Sequence, residues 1–239
     1  MDTIIKISFS LMLAIIGTFS INAQNSIEGS GNTVTKTVNT QPYSSIDISG
    51  SMQVFLENGG EGNITIAAED NVMDRIIVES DGETLIISMK NNTSLRNTKK
   101  IKITVPFEEI SEVTLKGSGN VEGRDILKSN SLALNIHGSG NIQASVEANS
   151  LDAQLNGSGD MQLSGNVTDV DVKTSGSGNF EGKELISENA QIYISGSGDT
   201  SISAETTLKA RVHGSGSVMY SGNPSQDVKI MGSGKVKSL

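Results

Sequence analysis

The chain of 239 residues contains no cysteine, no tryptophan and only two histidines. Without cysteine there can be no disulfide bond, thiolate metal site or cysteine nucleophile, and two histidines are too few for the usual zinc ligand sets. Its 18 basic residues are outnumbered by 27 acidic ones, and the net charge of −9 repels the phosphate backbone of nucleic acids. We therefore expect no metal, no cofactor and no nucleic-acid partner.

Long apolar runs are absent except at the start of the chain. Residues 1–23 combine Lys6, a mainly apolar stretch over residues 7–21 and a cleavage site after Ala23, which is typical of a secretory signal peptide. The alternative, a membrane anchor, is disfavoured because about 15 mixed residues fall short of the roughly 20 that a spanning helix needs. We expect an exported protein that is located either in the periplasm or outside the cell, including the cell surface. We expect no membrane insertion after the signal peptide is removed.

The 26 glycines reveal an internal repeat. The tripeptide Gly-Ser-Gly occurs seven times after residue 116, at steps of 21, 19, 19, 20, 18 and 18 residues. Its glycines are Gly117 and Gly119, Gly138 and Gly140, Gly157 and Gly159, Gly176 and Gly178, Gly196 and Gly198, Gly214 and Gly216, and Gly232 and Gly234. The residues that follow the first five copies are Asn120, Asn141, Asp160, Asn179 and Asp199. Glycine tolerates tight-turn backbone conformations and Asn or Asp caps turns, so each copy predicts a corner.

Apolar and polar residues alternate before each corner, as in a strand with one buried face. Aliphatic side chains stand two and four residues before the first glycine, as at Leu115 and Val113. A second inward position follows each corner, at Val121, Ile142, Met161, Phe180, Thr200, Val218 and Val236. A period of 18–21 residues without a helical pattern is typical of a parallel β-solenoid, whose coils rise by roughly 4.8 Å. The sequence therefore predicts an all-β solenoid over residues 113–239.

Residues 43–112 are rich in strand signals but lie outside the strict repeat. Candidate strands cover residues 46–49, 53–57, 63–68, 75–79, 84–89 and 100–105. Asp81-Gly82 favours a hairpin, and residues 71–74 favour one helical turn. We interpret this segment as irregular opening coils or a small cap over the first edge of the solenoid, because an uncovered edge recruits other strands. Residues 24–42 form a lead segment before this single domain.

The serial Gly-Ser-Gly-Asn/Asp turns, the predicted signal peptide and the β-rich opening segment together resemble a known family. This family is the putative auto-transporter adhesin, head GIN domain family, also called DUF2807. The resemblance covers roughly residues 43–236, and the turns at 117–120, 138–141, 157–160, 176–179 and 196–199 carry it. It implies a right-handed parallel β-helix on an exported protein of the bacterial envelope, with a proposed role in adhesion. It supplies no catalytic residues.

One column of outward residues is the best candidate for a binding site. Lys173, Tyr193, Arg211 and Lys229 occupy the same repeat position on successive coils. An aromatic ring among three cations on a flat face is suited to a sugar or an acidic polymer. The alternative is a solvated surface column without a ligand.

Two paired positions raise catalytic or metal-binding hypotheses. Asp152 and Asp171 lie at the same position of adjacent coils, about 5 Å apart, as a retaining glycosidase requires, although surface charges in water are the simpler interpretation. His137 and His213 also share a repeat position, but four coils, or roughly 19 Å, separate them, so they cannot share a metal. We expect no catalytic residues, because no nucleophile elbow or phosphate-binding loop is present either.

Two further clusters are weaker. Asp160 and Asp199 stand in the turns and suggest calcium, but calcium-binding solenoids carry an acidic residue in each turn of a nine-residue repeat. Arg96, Lys99, Lys100 and Lys102 form a basic run that is either a hairpin loop with solvated charges or a contact for an anionic glycan. We therefore expect no metal site.

These observations predict a non-enzymatic, exported β-solenoid that binds or adheres through an extended face. Its partner would be a glycan or a surface protein, and the sequence carries no signal for the oligomeric state. The first alternative is a periplasmic structural or envelope-stress module without an external ligand. The second is a polysaccharide-acting enzyme that uses Asp152 and Asp171.

Overall fold

The computed structural model describes residues 26–91 and 93–239. The predicted signal peptide, residues 1–23, lies outside the described residues. The strands up to residue 107 are β1 (Ser26–Glu28), β2 (Thr33–Asn39), β3 (Ser45–Gly50), β4 (Gln53–Asn58), β5 (Asn63–Glu69), β6 (Ile76–Asp81), β7 (Thr84–Met89), β8 (Ser94–Arg96) and β9 (Lys102–Phe107). A single helical turn, α1 (Asp70–Met73), follows β5. No helix in the described ranges is long and apolar enough to cross a membrane.

The repeat region consists of strands that run through the corners between the faces. These strands are β10 (Glu112–Gly117), β11 (Asn120–Gly123), β12 (Leu127–Gly138), β13 (Asn141–Gly157), β14 (Met161–Gly176), β15 (Phe180–Gly196), β16 (Thr200–Gly214), β17 (Val218–Ser221), β18 (Ser225–Gly232) and β19 (Val236–Ser238). Each pairs in parallel with its counterpart one coil away. The molecule is therefore a parallel β-solenoid of about seven turns, as the sequence predicts.

Two faces of the solenoid matter below. Face A comprises the residues that lead into the turns, namely 45–50, 112–117, 131–138, 150–157, 169–176, 189–196, 207–214 and 225–232. Face B comprises the residues that leave the turns, from β4 and β11 to β17 and β19. The two faces meet at the column of Gly-Ser-Gly turns.

The core is a stack of aliphatic side chains between the faces. The residues predicted to point inward are buried in the coils that precede β18, as at Leu115, Ile136, Leu155 and Ile194, whereas Val228 and Ile230 of β18 are exposed. Phe180 and Phe107 are among the few aromatic side chains buried with them. Because the coils before β18 bury the same positions, their apolar residues pack on those above and below, and the stack is held together by hydrophobic contact as well as by the sheet hydrogen bonds.

All six strands predicted in the opening segment are present, with ends that differ by at most two residues. The hairpin at Asp81-Gly82 is also confirmed, since β6 and β7 are antiparallel with Asp81 opposite Thr84. The predicted helical turn corresponds to α1. The lead segment contributes β1, which pairs with β8, and β2, which pairs with β5.

The first coils do not follow the order of the chain. β7 pairs in parallel with β3, and β9 pairs in parallel with β4, so the later strands precede the earlier ones in the stack. Beyond them, antiparallel strands close this end: β6 lies on β7, β5 on β9 and β2 on β5. The opening segment is thus both a displaced coil and a cap.

Candidate functional site

The turn column is closely packed and leaves no space for side chains. Gly157 has a φ of +136°, and a Cβ there would lie 2.1 Å from the carbonyl oxygen of Gly138 in the preceding coil. Gly159 has no positive φ, yet its Cβ would lie 1.9 Å from the oxygen of Gly140. The glycines are therefore required by the approach of successive coils as well as by backbone conformation.

The Asn and Asp residues after the turns form a hydrogen-bonded ladder. The Oδ1 atom of Asn141 accepts a bond from the Asp160 amide at 2.9 Å, and Oδ1 of Asp160 accepts one from the Asn179 amide at 2.9 Å. Oδ1 of Asn179 and of Asp199 likewise accept from Asp199 and Ser217, at 3.0 and 2.7 Å. The ladder joins coil to coil, so Asp160 and Asp199 each direct an oxygen at a backbone amide.

Metal ligands do not converge in the described part of the chain. Asp160 and Asp199 are two coils apart, roughly 10 Å, and His137 and His213 are four coils apart. No group of three His, Asp or Glu side chains in residues 26–91 and 93–239 is arranged to hold a metal ion.

The predicted column on face A is in register. Lys173 pairs with Tyr193, Tyr193 with Arg211 and Arg211 with Lys229. The row beside it, two residues earlier in each coil, contains Asp152, Asp171 and Asp227 and neutralises two of the cations. Sequence reasoning identified Asp152 and Asp171 but missed that this row pairs with the column; comparing the two aligned rows would have shown the opposite charges side by side.

Lys173 lies between Asp152 and Asp171, the two aspartates of the glycosidase hypothesis. Its Nζ atom is 3.2 Å from Oδ2 of Asp152 and 3.2 Å from Oδ2 of Asp171. Burial of the ammonium would lower its pKa, but the hydrogen bonds to Asp171 and Asp152 outweigh this effect and raise the pKa of Lys173 above its usual value. The shared cation lies equally close to both carboxylates, whereas a retaining glycosidase needs two different roles, one carboxyl group as acid and base and the other as nucleophile. The geometry therefore does not favour a glycosidase.

Arg211 is also paired. It forms an ion pair with Asp227 on the next coil and donates to the Asp227 carbonyl oxygen at 2.8 Å. Hydrogen bonding to Arg211 holds the pKa of the exposed Asp227 carboxyl below its usual value. The column consequently offers less free positive charge than its composition suggests.

Tyr193 is the prominent exposed ring on face A. Its side chain is 42% exposed, and its ring lies 5.6 Å from the ring of His213, tilted by 37°. Ser175 and Ser195 occupy the row between the column and the turns, next to His213. An aromatic pair surrounded by hydroxyl groups on a flat sheet is amphipathic, because the rings offer apolar contact and their surroundings offer hydrogen bonds.

The basic run is not a ligand cluster on one hairpin. Arg96 belongs to β8 and Lys102 to β9, which pair with different strands, so the hairpin interpretation is wrong. Lys99 donates from Nζ to the carbonyl oxygen of Gly31 at 2.6 Å, and its amide donates to buried Glu69 at 2.9 Å. This segment fastens the N-terminal cap, which explains part of its composition.

A known family matches most of the molecule. Residues 42–224 match the family described as putative auto-transporter adhesin, head GIN domain. The chain belongs to this family. None of the curated proteins matches it.

Solved structures of similar proteins share the fold of this head GIN domain. A putative adhesin from Bacteroides fragilis is 25% identical with a TM-score of 0.83, covering 89% of this chain and 100% of that one. A putative lipid binding protein from Parabacteroides distasonis is 26% identical with a TM-score of 0.76, covering 90% and 100%. A putative adhesin from the same organism, at 19% identity and a TM-score of 0.70 over 90% and 100%, shows the fold alone. The names of the family and these structures point to binding, and none to catalysis.

Proposed function

We propose that this protein is a non-enzymatic adhesin of the bacterial envelope that binds a neutral glycan on face A. The observation that carries the proposal is the exposed Tyr193 ring, packed near His213 and flanked in its column by Lys173 and Arg211, both of which are paired with carboxylates. Sugars present apolar C–H faces that stack on aromatic rings and hydroxyl groups that bond to polar neighbours. The family name supports the adhesive role, and the signal peptide predicted at residues 1–23 supports export.

The pairing of charges favours a neutral ligand over an acidic one. Lys173 is shared by Asp152 and Asp171, and Arg211 is bonded to Asp227, so a polyanion would have to displace carboxylates from both. The overall charge of −9 adds a repulsive field against such a polymer.

The first experiment measures binding of the mature chain, residues 24–239, to an array of neutral oligosaccharides, with polygalacturonate as the acidic comparison. Tyr193→Ala should reduce binding to neutral glycans at least about tenfold, as expected for loss of a central aromatic contact, and Tyr193→Phe should retain most of it. The matched control is Gln162→Ala, an exposed position on face B. Binding that is confined to polygalacturonate, or equal binding by wild type and Tyr193→Ala, would contradict the proposal.

The second experiment tests the location. Protease treatment of intact cells should cleave the protein, because an adhesin must be reachable from outside. Full protection, with release only on rupture of the outer membrane, would instead favour a periplasmic structural module.

A further inference from the structure

Among the described residues, the coil that contains β18 has one strand edge without a partner strand. Within residues 26–91 and 93–239, β18 pairs with β16 alone, and all eight of its residues are exposed. Val228 and Ile230 are each 39% exposed, whereas their counterparts one coil earlier, Ala210 and Val212, are fully buried. The opposite, N-terminal end of the solenoid is covered by the antiparallel strands β2, β5 and β6. An exposed strand edge with apolar inward residues is a template for pairing with another strand.

The sequence of β18 is complementary to itself. If two copies pair in antiparallel fashion about Val228, residue 227 of each copy lies opposite residue 229 of the other. Asp227 would then face Lys229 twice, and Val228 would face Val228. This register pairs the whole of Ser225–Met231 with its copy. Centring the pair on residue 227 or 229 would instead place like charges opposite each other.

The charges at this edge are available for such a contact. The Asp227 side chain is 65% exposed despite its ion pair with Arg211, and Lys229 is exposed. Opposite charges directly across an antiparallel pair stabilise it, and like charges destabilise it. The inward Val228 would meet Val228 of the partner and continue the core across the junction, while Ile230 of each copy would lie opposite Gln226 of the other.

We infer that β18 is a homodimer interface, at which two copies join tail to tail with a two-fold axis at Val228. Such an isologous contact closes on itself and produces dimers, not filaments. It would make the two A faces one continuous sheet. A consequence that rests on the proposed function is that the two Tyr193 rings would lie five strand spacings apart, about 24 Å, on one surface.

Cross-linking tests the register. The chain has no cysteine, so a single cysteine reports on its own position. Val228→Cys should form a disulfide-linked dimer under mild oxidation, because the two-fold axis brings residue 228 next to its copy. Gln226→Cys is the matched control: it lies on the same strand and the same side, but in this register it faces residue 230 and should remain uncross-linked. Equal cross-linking of the two variants would overturn the inference.

A charge exchange tests the interface in the native sequence. Sedimentation of residues 24–239 at roughly 10–500 µM, a range suited to a small interface, should show a monomer–dimer equilibrium. Asp227→Lys and Lys229→Asp should each weaken dimerisation about tenfold, since each creates two like-charge pairs, and the double exchange should restore it. Lys183→Asp, an exposed position on another coil, should have no effect. A monomer throughout this range, larger head-to-tail species, or no recovery in the double variant would refute the inference; none of these readouts depends on a glycan.

Discussion

Replacement of single glycines in the turn column separates two reasons for glycine. Gly176 has a φ of +130°, and a Cβ there would lie 2.2 Å from the Gly157 carbonyl oxygen. Gly178 lacks a positive φ, but its Cβ would lie 2.1 Å from the Gly159 oxygen. Gly82 has a φ of +58° with no atom within 4 Å, and Gly59 has neither constraint, its nearest neighbour being Pro106 at 3.6 Å. Alanine at these four positions therefore separates the effects of backbone strain and steric overlap: strain alone at Gly82, overlap alone at Gly178, both at Gly176 and neither at Gly59.

The expected losses follow from these geometries. Gly59→Ala should change the free energy of unfolding by less than about 0.5 kcal/mol. Gly82→Ala should cost about 1 kcal/mol from the left-handed backbone alone. Gly178→Ala should cost about 2 kcal/mol, because the overlapping atom is backbone and the coils would have to separate. Gly176→Ala combines about 1–3 kcal/mol of strain with about 1–3 kcal/mol of overlap, and should cost about 4 kcal/mol.

Urea unfolding followed by far-ultraviolet circular dichroism measures these losses, since the chain has no tryptophan for fluorescence. The order of the midpoints is the decisive result, because repeat proteins can unfold in more than one step. If Gly176→Ala and Gly178→Ala unfold at the same midpoint as Gly82→Ala, the close approach of the coils is not what requires glycine, and the reasoning fails.

Three further predictions concern other contacts. Thr174 is fully buried and its hydroxyl has no hydrogen-bond partner among the described residues, so Thr174→Val should raise the free energy of unfolding in urea by about 1 kcal/mol. Ser187→Ala should lower it by a similar amount, because the buried Ser187 hydroxyl donates to the Ser203 carbonyl oxygen at 2.7 Å. Hydrogen bonds from Ser30, Asn32 and the Asn71 amide lower the pKa of Asp70. The ionised carboxylate therefore stabilises the fold above about pH 4, and this stabilisation is lost as the pH falls through the lowered pKa. Asp70→Asn should flatten this part of the profile of stability against pH, and an unchanged profile would contradict the prediction. The pKa of Lys173 is raised, so its ion pairs stabilise the fold below about pH 10, and this stabilisation is lost as the pH rises through the raised pKa. We expect the loss to be under about 1 kcal/mol because the Lys173 side chain is 44% exposed. Lys173→Met should abolish this dependence of stability on pH.

The proposed adhesive function and the inferred dimer can be tested independently. The proposed binding surface is centred on Tyr193, two coils away from the edge, whereas the inferred dimer contact is β18. A monomeric variant that still binds glycan weakly, and a Tyr193→Ala variant that still dimerises, would show that the two properties are separable. Two linked sites gain apparent affinity for a long glycan without any new contact, which is the physical benefit that a dimer would bring.

The repeat region could be predicted from the sequence because every coil carries apolar residues at the same positions. Apolar and polar residues alternate before each Gly-Ser-Gly turn, and an apolar residue recurs after it. Because this pattern predicts the same structure in several coils, the prediction for one ambiguous coil can be made from its neighbours. The register is visible for the same reason: Lys173, Tyr193, Arg211 and Lys229 align by simple counting, and they align in the structure. A pattern that is repeated at a fixed period can be recognised directly in the sequence, because each copy lies within a short segment.

Only the tertiary structure decided the order of the opening coils and the chemistry of face A. The placement of β7 and β9 before β3 and β4 depends on pairings between residues about 40 to 50 positions apart that occur once, without a repeated signature. Likewise Lys173 is shared by Asp152 and Asp171, and Tyr193 meets His213, because parallel stacking brings neighbouring rows within reach. Such contacts depend on side-chain direction across the sheet, and no single coil encodes them.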